Sequence, residues 1–89
     1  MSAAARTVTV RYFAAIREAL GTGSERVATQ AATLSALRDE LIARGGAHAE
    51  ALARGKAVRM ALDQLLVTDE QAALADGAEV AIFPPVTGG

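Results

Sequence analysis

TLSALRDELIARGG, Thr33 to Gly46, is the stretch on which the fold turns. Leu34, Leu37, Leu41 and Ile42 fall at i, i+3, i+7 and i+8, a single apolar stripe on a 3.6-residue period. Thr33 is placed to cap the first turn and Gly45 to stop the last. Arg38, Asp39, Glu40 and Arg44 lie mostly off the stripe and are expected to face water. One amphipathic helix of this kind needs a sheet to cover.

Strands lie on both sides of it. TVTVRYF, Thr7 to Phe13, alternates, with Val8, Val10 and Tyr12 on one face. AAIREAL, Ala14 to Leu20, reads as a short helix ended by Gly21, and a short polar strand follows near Glu25 to Ala28. After the main helix, Ala47 to Gly55 reads as a second, shorter helix. AVRMAL and LLVT, divided by Asp63-Gln64, then read as a β-hairpin, although Asp-Gln is weaker turn chemistry than Asn-Gly. EVAIF, Glu79 to Phe83, sets Val80 and Ile82 against Ala81 and Phe83, and Pro84-Pro85 ends the ladder. The order β, short α, β, α, β, β, β predicts a two-layer α+β domain: about five strands packed on one main helix.

Eighty-nine residues make one domain, 1–89. Residues 1–6 are expected to lie outside the ordered fold, and 86–89 to form an exposed tail. Alanine supplies much of the 52% hydrophobic content, so the core is expected from Val, Leu, Ile, both Phe, both Met and the one Tyr. The formal charge is −1 and the nine basic residues are scattered from Arg6 to Arg59, which gives no stripe for nucleic acid. No stretch approaches the ~20 apolar residues of a membrane span, nor does MSAAARTVTV have a signal-peptide core. A cytoplasmic location is expected. With no cysteine there are no disulfides, thiolate metal sites or cysteine nucleophile.

The interior offers little chemistry. His48 is the sole histidine, set among alanines with no second ligand, and is expected to be structural. Asp39-Glu40 fits a solvated helix face, and Asp69-Glu70 a turn. GTG, Gly21 to Gly23, lacks the Lys-Ser/Thr of a phosphate loop. No metal or bound cofactor is expected, and any chemistry must lie at a terminus.

The chain finishes on Gly88-Gly89. At about 7% glycine usage, such an ending arises by chance in roughly one chain in 200. A terminal carboxylate, with a pKa of about 3.3–3.7, is an anion at neutral pH and a poor electrophile. It must be activated before it can form a bond, for instance as an acyl-adenylate made with ATP. Glycine, lacking Cβ, lets catalytic groups approach the last carbonyl. Pro84 to Gly89, extended, reaches roughly 20 Å, and the two prolines stiffen the base of that arm. A carrier presenting its end to other enzymes fits these features.

VRYFAAIREALG, TLSALRDEL and above all GAEVAIFPPVTGG resemble the small subunit of molybdopterin synthase, in order and over essentially the whole chain. The resemblance implies the ubiquitin-like β-grasp fold. It implies that an adenylating enzyme activates Gly89 with ATP, and that sulfur from a donor enzyme then replaces one oxygen to give a thiocarboxylate. The tail would enter the large subunit, in a heterotetramer of two small and two large chains, and donate sulfur to cyclic pyranopterin monophosphate. Two sulfurs make the dithiolene of molybdopterin, and the small subunit is not itself catalytic. By position, Gly89 carries the sulfur, Gly88 is the slim approach, Val86 and Thr87 belong to the inserted tail, and Phe83, Pro84 and Pro85 match the apolar contact region. Phe83 has a competing reading as a core residue of the last strand.

Three departures stand out. Asp63 replaces an asparagine common in the hairpin turn, Ile82 replaces a common aromatic, and MSAAA is an added N-terminal extension. Lys56 is the only lysine, consistent with a chain carrying an activated acyl end. Alternatives are a β-grasp sulfur carrier for thiamin thiazole synthesis, a ubiquitin-like modifier that forms isopeptide bonds, and a plain binding domain with an incidental tail.

Overall fold

The computed structural model describes residues 5–85. Its elements are β1 (Arg6–Tyr12), α1 (Ala14–Leu20), β2 (Ser24–Thr29), α2 (Leu34–Ile42), α3 (Gly46–Leu52), β3 (Arg59–Leu62), β4 (Leu65–Val67) and β5 (Glu79–Phe83). The sequence order of strands and helices is therefore the observed one. Arg6 already belongs to β1, where it pairs with Thr29, which corrects the expectation that residues 1–6 stay outside the fold.

Five strands form one sheet in the order β2-β1-β5-β3-β4. β1 and β5 run parallel, Thr9 opposite Glu79 through Tyr12 opposite Ile82, and the other pairs are antiparallel. A parallel pair needs a long crossover. Here nearly the whole chain between β1 and β5 serves, carrying the helices across one face. This is the mixed two-layer arrangement of the β-grasp fold.

Strand alternation sends Val8, Val10 and Tyr12 of β1, Met60 of β3, and Val80 and Ile82 of β5 into the core. Leu34, Leu37 and Leu41 of α2 meet them, together with Ile16 of α1 and Leu52 of α3. Thr33 caps α2, its hydroxyl accepting from the Ala36 N–H at 3.1 Å. α1 ends at Gly21, whose φ of 75° lets its N–H reach back to the Arg17 carbonyl at 2.9 Å. In the β3–β4 hairpin Asp63 and Gln64 have φ of 50° and 72°, the left-handed pair that a two-residue turn matched to strand twist requires. Asp63 offsets part of that strain: its Oδ1 accepts from the Glu79 N–H at 2.9 Å and ties the turn to β5.

One expectation about charge needs correction. Arg38 is only 4% exposed and does not face water. Its Nε donates to the Leu52 carbonyl at 2.9 Å, one terminal nitrogen to the Ala53 and Lys56 carbonyls at 2.8 and 3.0 Å, and the other to Glu70 at 2.9 Å. The physical reason is the end of α3. Its last carbonyls have no intrahelical donors, and the α2 flank that α3 covers supplies a guanidinium fork in place of water. Glu70 is thus more than a turn residue, since it also accepts from Arg54 at 2.7 Å. Asp39, exposed as expected, pairs with the same Arg54 at 2.8 Å.

His48 is structural, as its isolation suggests. Its Nε2 lies 3.0 Å from Glu25 Oε2, and its ring meets Tyr12 edge-on with centroids 6.2 Å apart. The Tyr12 hydroxyl donates to the same Glu25 oxygen at 2.6 Å, and Arg44 to the other at 2.7 Å. Burial alone would raise the Glu25 carboxyl, but hydrogen bonds from Tyr12, His48 and Arg44 outweigh it and hold the group down at about 2. Burial, then the bond to Glu25, pushes the Tyr12 phenol above its ordinary range. One carboxylate thus joins β2, β1, α3 and the end of α2.

Two outcomes follow from these clusters. Arg38→Ala takes a donor from three carbonyls and leaves Glu70 with Arg54 alone, and should cost about 1–3 kcal/mol in urea unfolding; an unchanged midpoint would count against the cluster. Glu25→Ala should cost about 1–3 kcal/mol at pH 7. Because the Glu25 carboxyl ionises lower in the folded state than its ordinary 4.5, that stabilisation is complete above about pH 4.5 and fades as the pH falls toward 2. The gap between wild type and Glu25→Ala should therefore narrow across that window.

Candidate functional site

The helices cover one face of the sheet and leave the other open. By the same alternation that buries Val80 and Ile82, Ala81 and Phe83 of β5 point to the open face. The registers extend it: Ala81 stands opposite both Arg11 and Ala61, and Ala61 opposite Leu66. Phe13 continues β1 on this side, its N–H donating to the Ile82 carbonyl at 3.2 Å. Phe13 and Leu66 are 38% and 62% exposed, so apolar surface runs across this face from the end of β1 to the edge strand β4.

The expectation that both phenylalanines join the core is thereby corrected. Phe13 is exposed and Phe83 half-buried, on the face away from the core. Parity explains it: each is out of step with the buried residues of its own strand. The same parity settles the two readings of Phe83 as far as placement goes, since it sits outside the buried cluster. Leu65 and Leu66, 73% and 62% exposed, escaped notice because LLV reads as an ordinary apolar strand. Their signal was the position of β4 at the sheet edge, which only the pairing order reveals.

Pro84 and Pro85 follow Phe83 directly and are half-buried. Pro84 lines a small groove with Ile16 and Ala19 of α1, Ala51 of α3, Lys56 and Val58, so the base of the arm starts beside the helix layer. Val86, Thr87, Gly88 and Gly89 lie outside the described residues. What the structure brings together is the open apolar face and the point where the arm leaves it. Arg11 borders this face, its guanidinium 5.6 Å from the Phe13 ring centroid and 3.0 Å from Glu79 Oε2.

Among the described residues no cluster of His, Asp and Glu has metal-binding geometry, and no helix is long and apolar enough to cross a membrane. The Glu25 and Arg38 clusters are spent on joining elements. What the described residues offer is thus an open apolar face beside the start of an arm.

Comparisons with known proteins agree with this geometry. The profile of the ThiS family matches residues 10–89. The chain is 44% identical over 82 residues to the molybdopterin synthase sulfur carrier subunit of Escherichia coli, covering 92% of this chain and 99% of that one. In structure it is similar to SAMP1 from Haloferax volcanii, with a TM-score of 0.73 and 27% identity over 93% of this chain and 99% of that one. It is also similar to a chain in the complex of subunits 1 and 2 of the molybdopterin-converting factor from Helicobacter pylori, with a TM-score of 0.62 and 30% identity over 93% and 99% of the two chains. The continuous match from β1 through the terminal glycines places this chain in the ThiS family, alongside relatives that are sulfur carrier subunits of molybdopterin synthase.

Proposed function

We propose that this chain is a sulfur carrier of molybdenum cofactor biosynthesis. The observation that carries the reading is the direct succession of open face, stiff proline pair and diglycine end, in a chain 44% identical to such a carrier. The Gly89 carboxylate attacks ATP on an adenylating enzyme, releasing pyrophosphate and leaving an acyl-adenylate. Sulfur from a donor enzyme then displaces AMP, giving a thiocarboxylate. Gly88 offers no Cβ to obstruct the approach.

The loaded end then reaches the large subunit, which supplies the catalytic groups and holds cyclic pyranopterin monophosphate. Two successive carriers deliver the two sulfurs of the dithiolene, consistent with a heterotetramer of two small and two large chains. Phe13, Leu66 and Phe83 form the docking face; Pro84 and Pro85 aim the arm, and Val86 and Thr87 thread into the partner. The chain binds no metal, cofactor, nucleic acid or membrane of its own, and works in the cytoplasm.

A second reading, a protein modifier, draws on the likeness to SAMP1. It transfers the glycyl carbon to a lysine instead of transferring sulfur. Intact mass separates the two. Chain purified from cells making the activating enzyme should gain a mass equal to exchanging oxygen for sulfur, localised to the peptide that holds Gly89. Adducts of the chain on other proteins, with no sulfur gain, would favour the modifier.

One residue added after Gly89 should abolish loading and leave folding unchanged; an extended chain that is loaded without trimming would refute the carrier chemistry. On the docking face, Leu66→Asp should weaken capture by the large subunit by more than about tenfold, as loss of a central apolar contact does. Its thermal midpoint should stay within a few degrees of wild type, because Leu66 contributes little to the core. Unchanged capture would move the interface elsewhere.

A further inference from the structure

The open face is charged as well as apolar. Alternation places Arg26 of β2, Arg11 of β1 and Arg59 of β3 on it, against one carboxylate, Glu79 of β5. Arg11 already pairs with Glu79. Arg26 and Arg59 are exposed and make no ion pair among the described residues. The whole chain carries a formal charge of −1, so this face is opposite in sign to the molecule that bears it. Basic residues that look scattered along the sequence are gathered by the sheet.

Arg59 matters most. In the antiparallel β3–β5 register it stands directly opposite Phe83, the last strand residue before the arm. A guanidinium there borders the apolar patch at the point where the chain crosses to its partner. Covering it with a surface that brings no carboxylate would strip its water without replacement, at a cost that charge complementarity removes. A second copy of this chain is a poor cover, because a two-fold contact through this face would set arginines against arginines. Nucleic acid is poor too, since the centre of the patch is apolar.

We propose that the large-subunit surface seated on this face is apolar at its centre and acidic at its rim, with a carboxylate placed opposite Arg59. The inference rests on the sulfur-carrier reading and names the partner's chemistry. Arg59 then sets partner choice and speeds encounter, while Phe13, Leu66 and Phe83 supply the adhesion.

The test is calorimetry of the full chain against the large subunit from the same organism, at about 0.1 M and about 1 M salt, where the screening length falls from about 10 Å to about 3 Å. Wild-type affinity should fall several-fold between the two. Arg59→Glu should bind more than about tenfold more weakly at low salt, the gap should close at high salt, and Arg59→Lys should restore most of the loss. A thermal midpoint equal to wild type for each variant confirms that the fold is intact. Wild-type chain that binds equally well at both salts, with Arg59→Glu binding like wild type, overturns the acidic rim and leaves the carrier reading standing. Wild-type chain that fails to bind at either salt overturns the docking reading, and the rim with it.

Discussion

The parallel pairing of the first strand with the last is the constraint on which the rest of this structure depends. Thr9 to Tyr12 lie against Glu79 to Ile82, so residues seventy positions apart in sequence become neighbours in the centre of the sheet. That pairing demands a crossover, and the crossover carries the helices to one side. Because one side is covered, the other is open, and the arm leaves from the end of the same central strand. Open face and arm thus share a single topological cause.

The helix layer is held less by apolar area than its alanine-rich sequence would suggest. α3 is seven residues long and buries one large side chain, Leu52. Its hold on α2 runs through Arg38, which gathers three backbone carbonyls and Glu70. On the opposite flank His48 of the same helix reaches Glu25 of β2. Polar contacts on both flanks give a small helix with a meagre apolar face one defined seat. All buried side-chain nitrogens and oxygens among the described residues are partnered, as such an arrangement requires.

Much of this was legible in the residues. Alternation in TVTVRYF and EVAIF, the stripe of α2 with Thr33 as its cap, Gly21 as the stop of α1, and Asp63-Gln64 as a two-residue turn all act locally, and local signals survive in a single sequence. Arg38 was misread because its environment is made by α3 and the Glu70 loop, 14 to 32 residues away in the chain. Phe13 was misread differently: parity already separated it from the core, as it did Phe83, whose core reading was the competing one, but hydrophobicity argued louder. The patch around Leu66 needed the strand order, which no local pattern encodes. The diglycine after FPPVT, by contrast, is read from the residues alone, since that pattern depends on no folding at all.

The placement of β5 also has a mechanical consequence. It is an interior strand, hydrogen-bonded to β1 on one side and to β3 on the other, and the arm continues directly from it. A pull along the axis of β5 therefore loads both ladders in shear, many bonds at once. An edge strand pulled from its free side would instead peel, one bond after another. For the carrier reading proposed above, this means that an end drawn upon by partner enzymes is anchored in the strand best placed to resist being pulled out.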